Sequence, residues 1–467
     1  MTMPPSEPCM LLSFTRSFPD VSFVTFLEAM PIAPRIYWES GQVTTEFAGG
    51  GAAAEVYVSP HELDSEHDRF EVVRQKLAAL FSGLSIDSTA PDSLTPRVFG
   101  GFAFRDDFVP ADVWTAFPTA YFVLPRYQIS RTHSDSGFQT WLTINRQLMP
   151  FEHVDSALDS LEWEFDSVLR RVMMYAEQQA NERKTAHIEA LDYPLDRGTW
   201  QRMIDDATAR MKAHEFEKVV LARTADVSLS APANLLAALE RMGLKYPHTF
   251  RFLIEPGAGR AFFGASPELL AHVHSGMLDT AALAGSRSRG RTEADDAALA
   301  HDLMTSAKDR AEHQFVVDFL RERLAPYTRD LEAAQEPSLL KLSNIQHLHT
   351  PMRAALNADA DVLTLTQALH PTPALGGTPQ SIGMATIARL EPITRGWYAG
   401  PVGWIDSRGD GMFAVAIRSA VNSGKRVRLY AGAGIVADSD PDKEWDEIEW
   451  KFKPMLDALG AETYARA

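Results

Sequence analysis

Short apolar and aromatic segments recur along the whole chain, and stretches of helical periodicity separate them into groups. In the first part of the chain the strand-like segments include 97–104, 120–131 and 139–144, which are rich in aromatic and β-branched residues. A helix is predicted at 61–81 and a long amphipathic helix at 155–183. Strands that follow one another closely favour antiparallel pairing. The pattern therefore predicts an α+β fold, with large antiparallel sheets packed as a layered sandwich and helices covering the outside.

The second part of the chain alternates helices and strands more regularly. Helices are predicted at 198–214, 234–242, 293–324 and 441–459, and strands at 218–227, 249–254, 261–264, 278–284, 396–406, 412–421 and 427–433. A polar stretch that includes Pro194 precedes them. We therefore expect an N-terminal, strand-rich subdomain over 1–190 and a second region over 191–467, which together form one composite domain.

Charge and cysteine content exclude several classes of protein. The formal net charge is −17 and the chain has no long run of lysine and arginine, so neither nucleic acid nor an anionic membrane surface is an expected partner. Cys9 is the only cysteine, which excludes an intrachain disulfide and fits a reducing compartment. The N-terminus has no basic segment followed by a long apolar one, so a cytoplasmic protein is expected.

Two short acidic segments stand on predicted helices. Asp309 and Glu312 are three positions apart, and so are Glu444 and Glu447. This spacing places both carboxylates of a pair on the same side of a helix. Two solvated helix faces would show the same pattern. If the pairs converge, however, their oxygen atoms suit one Mg²⁺ ion, which binds through a few carboxylates and keeps some of its water.

Three further charged residues interrupt apolar segments. Lys218 begins an apolar strand, where it could reach solvent or, if partly desolvated, act as a general base. Glu268 follows a Gly/Pro turn, either as a turn carboxylate or as an acid with a raised pKa. Arg418 lies on an apolar strand and needs an anionic partner, which could be an internal acid or a substrate carboxylate.

Glycine-rich segments at 283–290, 370–379 and 430–436 would let backbone N–H groups approach an anion closely. None of them is a nucleotide-binding loop. The chain has no G-x-x-x-x-G-K-[ST] motif, and the segment from Gly432 to Gly434 lacks the third glycine of a dinucleotide fingerprint. A nucleotide cofactor is therefore not expected.

Taken together, these segments resemble the chorismate-utilising enzymes and, among them, the isochorismate synthases of the menaquinone type. Eight matching segments occur in the order of the family and cover about 216–451. They are FEKVVLAR at 216–223, FGASPELL at 263–270, LAGSRSRG at 283–290, KDRAEH at 308–313, LHPTPALGG at 369–377, RGWYAGPVGW at 395–404, AVAIRSA at 414–420 and AGAGIVADSDPDKEWDEIEWK at 431–451.

The resemblance implies that the enzyme binds chorismate and Mg²⁺ and forms isochorismate. Lys218 corresponds to the lysine that activates water for attack at ring carbon 2, and Glu268 to the acid that protonates the hydroxyl leaving carbon 4. The positions that match direct Mg²⁺ ligands are Glu312 and Glu447, and those that support the ion through water are Glu444 and Asp309. The positions that match substrate-binding residues are Gly285, Ser286, His370, Arg418, Gly432, Gly434 and Lys451.

Differences between members of the family narrow the choice of reaction. Anthranilate-forming members carry glutamine at the position of Lys218, and aminodeoxychorismate synthases carry a nucleophilic lysine at that of Ala284. Salicylate synthases share Lys218 and Glu268 and then eliminate pyruvate, so they are an alternative, as is a chorismate-binding subunit without activity. Cys9 lies in no glutaminase motif, so no glutaminase subunit is expected. Family members suggest a monomer or a weak homodimer.

Overall fold

The computed structural model describes residues 10–41, 46–64, 67–91, 94–134, 137–149, 151–178, 186–342 and 345–460. The α-helices in this part of the chain are α1 Phe23–Ala29, α2 Arg69–Phe81, α3 Val154–Gln178, α4 Arg197–Lys212, α5 Leu235–Lys245, α6 Glu293–Thr305, α7 Ala307–Leu324, α8 Val362–Leu369, α9 Gln380–Leu390 and α10 Pro441–Ala458.

The strands are more numerous than the helices and run from one end of the described chain to the other. They are β1 Leu11–Phe18, β2 Arg35–Ser40, β3 Glu46–Val58, β4 Leu84–Ser88, β5 Arg97–Phe102, β6 Ala120–Ser134, β7 Gly137–Gln147, β8 Ile188–Asp192, β9 Lys218–Leu229, β10 Phe250–Gly257, β11 Arg260–Ser266, β12 Leu269–His274, β13 Met277–Ser288, β14 Thr328–Ala333, β15 Ser338–Lys341, β16 Ile345–Leu356, β17 Gly377–Thr378, β18 Pro401–Asp406, β19 Gly411–Val415, β20 Ser419–Ser423 and β21 Arg426–Ile435.

All of these strands belong to one hydrogen-bonded network, which branches at β6. Strand β3 pairs along one edge of β6, while β5 and β7 share the other edge. One arm continues in the order β3, β2, β10, β11, β20, β21 and β9. The other arm continues in the order β5, β18, β19, β12, β13 and β16. Among the described pairs only β1 and β4 run parallel, so the predicted antiparallel α+β fold is confirmed.

Aromatic side chains fill the space between the two arms. Phe47 of β3 lies edge-on to Trp404 of β18, with ring centroids 5.6 Å apart. Phe262 of β11 lies edge-on to Trp397, at 6.2 Å. These rings are buried, and burying aromatic surface is a large contribution to the stability of such a core. Helices cover the sheets from outside: α7 packs against β13, and α10 against β21.

The hydrogen-bonded network crosses the boundary that we expect near residue 190. Strand β2 pairs with β10, and β5 pairs with β18, so each arm contains strands from both regions. None of the described helices combines the length and apolarity that a membrane-spanning segment requires.

Four predicted elements begin late or are divided in the structure, and local structure explains three of these differences. The helix predicted at 61–81 begins only at Arg69, because the Asp68 carboxylate accepts hydrogen bonds from two N–H groups of its first turn. The helix predicted at 293–324 is divided into α6 and α7 at Ser306, whose hydroxyl accepts from the N–H of Asp309 at 3.2 Å. The strand predicted at 396–406 begins only at Pro401.

The strand predicted at 412–421 is also divided, into β19 and β20. Between them Arg418 has φ = 51°, a left-handed conformation that is unfavourable for a residue with a side chain. A residue in this conformation cannot continue a strand. The break falls at one of the predicted substrate-binding residues.

Candidate active site

Nearly all of the predicted site residues line one cavity of about 290 Å³. The cavity is enclosed by β9, β13, β16 and β21 on the sheet side and by α7 and α10 on the helix side. The predicted residues in its lining are Lys218, Glu268, Gly285, Ser286, Asp309, Glu312, Arg418, Gly432, Gly434, Glu444, Glu447 and Lys451.

Lys218 is the first residue of β9, and its side chain enters the cavity with only 12% of its surface exposed. Its ammonium nitrogen donates a hydrogen bond to Oε1 of Glu312 at 2.7 Å. On the paired strand β21, a Cβ at Gly434 would lie 2.9 Å from Cε of Lys218. Gly434 therefore leaves the space that the lysine side chain occupies.

Glu268 lies in the turn between β11 and β12. Its N–H donates to Oγ of Ser266 at 3.2 Å, and its backbone carbonyl accepts from the N–H of Val415 at 3.1 Å. Burial raises the pKa of the Glu268 carboxyl to about 7, although the nearby charges of Arg418 and Lys218 oppose this rise. A large share of the molecules therefore carries a protonated Glu268 near neutral pH, as a general acid requires.

The predicted acidic ligands reach the cavity from two helices. Asp309 and Glu312 lie on α7, and Glu444 and Glu447 lie on α10. Oε1 of Glu447 lies 2.6 Å from Nζ of Lys451, one helical turn later. Burial raises the pKa of Glu447, but Lys451, Arg418 and Lys218 together lower it, so that the net direction is down. Glu444 accepts from Oγ of Ser439 at 2.8 Å, and burial raises its pKa.

Asp309 is the acidic residue with the strongest internal partner. Arg287 of β13 donates to both of its carboxylate oxygens, at 2.8 and 3.2 Å. The Asp309 side chain is buried, so this two-fold contact satisfies a charge that would otherwise be costly. Asp309 lines the cavity as predicted, but its carboxylate is already paired with Arg287.

The four predicted metal ligands are all carboxylates, and carboxylate oxygens are the ligands that a hard divalent cation prefers. As the side chains stand, the described residues include no group of three ligand side chains close enough to hold an ion. The reason is visible for Glu312 and Glu447, which bond to the ammonium groups of Lys218 and Lys451. A cation of the protein thus balances each of these carboxylates.

Two further cations, Arg418 and Lys451, line the cavity. Arg418 has no side-chain hydrogen bond or ion pair among the described residues, and burial lowers its pKa. Lys451 donates to the backbone carbonyl of Gly432 at 2.8 Å as well as to Glu447. A partly buried guanidinium that makes no direct ion pair with an acid of the described residues is suited to a carboxylate ligand.

The structure does not bring His370 to the cavity. Its Nε2 donates to the carbonyl oxygen of Phe104 at 3.0 Å, and its ring lies edge-on to that phenyl ring at 5.6 Å. Burial lowers the pKa of His370 to about 3. The histidine is therefore a neutral member of the packing beside the site.

A different histidine, His347 of β16, lines the cavity and was missed in the sequence. It stands opposite Ser286 in the β13–β16 ladder, with Nδ1 2.7 Å from Oγ of that serine. Its Nε2 is buried and has no partner among the described residues. Burial lowers the pKa of His347 to about 3, so the imidazole is neutral. Only the strand register that sets His347 opposite the glycine-rich segment 283–290 could have indicated that it lines the cavity.

Both the fold and this cavity agree with the family to which the chain belongs. Residues 5–460 match the family described as "Chorismate binding enzyme", which is nearly the full length. The chain is therefore a member of the chorismate-binding enzymes, and the resemblance seen in its sequence is confirmed.

The most similar relatives include isochorismate synthases. The chain is 32% identical to isochorismate synthase MenF of Bacillus subtilis over 97% of its own length and 94% of the relative's. It is 34% identical to the salicylate biosynthesis isochorismate synthase of Pseudomonas aeruginosa, over 92% and 85%. Among solved structures, MenF, the menaquinone-specific isochorismate synthase from Escherichia coli, superposes with a TM-score of 0.75 at 26% identity, covering 97% of this chain and 96% of that one.

Proposed function

We propose that this protein is an isochorismate synthase that converts chorismate reversibly into isochorismate, for menaquinone biosynthesis. The observation that carries the proposal is that Lys218 and Glu268 line the same cavity, as a base and an acid that act on one ring must. Ala284, which also lines it, leaves no second amine at the position where aminodeoxychorismate synthases have their lysine. The names of the relatives agree with this reaction.

The proposed reaction exchanges one hydroxyl for another and conserves the composition of the substrate. Lys218, as the neutral amine, removes a proton from water while the oxygen of that water bonds to ring carbon 2. The double bonds shift, and the carbon–oxygen bond at carbon 4 breaks. Glu268 donates its proton to the departing hydroxyl, which leaves as water. One proton is accepted and one is donated, so the reverse reaction uses the same two groups in exchanged roles.

Binding of chorismate, a dianion, by a protein of net charge −17 requires local positive charge. Arg418 and Lys451 supply it at the cavity wall. We assign the unpaired Arg418 guanidinium to a substrate carboxylate, with Gly285, Ser286 and Gly432 placing backbone and hydroxyl groups nearby. This assignment rests on cavity lining together with the family resemblance.

We further propose Mg²⁺ as the cofactor, held directly by Glu312 and Glu447 and through water by Glu444 and Asp309. When bound, the ion supplies positive charge for the ring carboxylate as the double bonds shift. Glu312 and Glu447 would exchange their present ammonium partners for the ion. The engagement of Asp309 by Arg287 makes it the weakest member of this set.

The product formed from chorismate tests the proposal. The purified full chain should convert chorismate to isochorismate in the presence of Mg²⁺, as resolved by chromatography, and Lys218→Ala should not. Salicylate and pyruvate as the main enzymatic products would instead identify a salicylate synthase. Tight chorismate binding without turnover would identify a non-catalytic subunit. Cytoplasmic location and a monomeric or weakly dimeric state stay predictions.

A further inference from the structure

A second charged residue of β9 is buried outside the cavity. Arg223 stands five positions after Lys218 on the same strand, so strand alternation directs it to the opposite face. Its side chain is completely buried. Burial lowers the pKa of Arg223 to about 10, which shows how unfavourable this environment is for a guanidinium.

Most of the contacts that compensate this cost come from helix α10. The guanidinium carbon of Arg223 lies 3.5 Å from the ring centroid of Trp445 and 5.4 Å from that of Phe452. Its Nη2 donates a hydrogen bond to the backbone carbonyl of Trp445 at 3.0 Å. Tyr193 covers it from another side at 5.3 Å. Arg223 thus contacts both the ring and the main chain of Trp445.

Trp445 lies between Glu444 and Glu447 in sequence and is held by further contacts. Its indole N–H donates to Oε1 of Glu449 at 2.9 Å. Trp200 of α4 packs edge-on to its ring at 6.4 Å, and Arg197 lies over it at 5.0 Å. Together with a hydrogen bond from the Trp200 indole N–H to the carbonyl of Pro441 at 3.0 Å, these contacts fasten the first turns of α10 to the rest of the protein.

We propose that Arg223 is a positioning residue that fixes helix α10 against strand β9, so that Glu444 and Glu447 face the cavity that Lys218 enters. Nε and Nη1 of Arg223 have no hydrogen-bond partner among the described residues, so part of the cost of burying this charge is not offset by hydrogen bonds. The arginine supplies what an apolar residue lacks, a hydrogen bond to the helix main chain and an ion pair with Glu449 of the same helix, whose Oε1 lies 3.6 Å from Nη2. The inference rests on the proposed metal-binding role of the two glutamates.

Arg223→Met tests this inference, because methionine keeps an unbranched apolar chain and removes the hydrogen bond and the charge. Arg97→Met is the matched control. Arg97 is also buried, with its guanidinium carbon 4.2 Å from the Phe47 ring centroid and 4.4 Å from that of Trp404, but it belongs to β5. Both variants should melt at lower temperature than the wild type.

Two measurements on the metal-free full chain separate a positioning role from general stability. Hydrogen exchange of the α10 amides should become faster in Arg223→Met and stay unchanged in Arg97→Met. The Kd for Mg²⁺, measured by calorimetry, should rise by about tenfold in Arg223→Met and stay at the wild-type value in the control. Unchanged α10 exchange together with an unchanged Kd would overturn the inference.

Two further outcomes stay interpretable. If the wild type itself binds no Mg²⁺, the proposed metal site fails, while exchange in α10 still decides whether Arg223 holds the helix. If Arg223→Met does not fold, Arg223→Lys keeps a cation without the planar group. That variant should show faster α10 exchange and weaker Mg²⁺ binding, and wild-type values for both would again overturn the inference.

Discussion

Nζ of Lys218 lies 2.7 Å from Oε1 of Glu312. This ion pair joins strand β9 to helix α7 across the cavity and connects the proposed base to a proposed metal ligand. A carboxylate cannot offer the same oxygen fully to an ammonium group and to Mg²⁺. If Mg²⁺ binds as proposed, Lys218 and the ion would compete for Glu312.

Glu312→Gln should weaken Mg²⁺ binding by at least about tenfold, or about 1.4 kcal/mol, because a neutral amide replaces a charged ligand. Calorimetric titration of the metal-free protein measures the change. Glu322→Gln, on an exposed position of the same helix, is the control and should bind like the wild type. Wild-type affinity in Glu312→Gln would remove this residue from the metal site.

Lys218→Ala should lower kcat by about 10² to 10⁴-fold, the range that a general base contributes. Chorismate binding in the presence of Mg²⁺ should persist, since Arg418 and Lys451 are unchanged. Lys212→Ala is the control: it removes an exposed lysine at the end of α4 and should leave kcat unchanged. Turnover at the wild-type rate in Lys218→Ala would end the assignment of the base.

The Glu268 carboxyl should titrate near pH 7. Because burial raises its pKa to about 7 from the ordinary value of 4.5, the protonated form is the main one below this pH and is lost as the pH rises through it. Infrared difference spectra against Glu268→Gln should show a protonated carboxyl band that disappears with this midpoint. The rate of isochorismate formation, which requires protonated Glu268, should fall over the same pH range. Loss of the band near pH 4.5 would contradict the prediction.

Gly285→Ala should reduce kcat/KM more than Gly259→Ala does. Both glycines have φ = 75°, so an alanine at either position costs about 1–2 kcal/mol of unfolding free energy. Only at Gly285 would the new Cβ meet Asp309, with Cβ atoms 3.3 Å apart, while at Gly259 it meets open space. Denaturant unfolding and steady-state kinetics of both variants check this. Equal kcat/KM in the two would show that Gly285 has no role beyond the backbone.

The sequence was sufficient to predict the fold class and a set of residues that the structure places around one cavity, since strand periodicity and eight ordered segments each pointed the same way. It could not show that α6 and α7 separate at Ser306, because a serine within a helix and a serine that caps one look alike in sequence. Nor could it show the left-handed Arg418, because the apolar segment around it predicts one continuous strand over 412–421.

The two histidines show the same limit at the site itself. His370 lies in a family segment, but its side chain turns toward Phe104. His347 reaches the cavity only because the β13–β16 register sets it opposite Ser286. Register depends on the pairing of distant strands, which no local spacing reveals.

The cavity walls come from both arms of the sheet and from helices near the middle and the end of the described chain, so an unfolded chain has no such site. Any ligand that fills it therefore shifts the folding equilibrium by mass action, by about 2.7 kcal/mol at a concentration one hundred times its Kd. Substrate supply then sets not only the flux through the enzyme but also the fraction of molecules that escapes proteolysis. We therefore expect the chain to be degraded faster when its ligand is scarce.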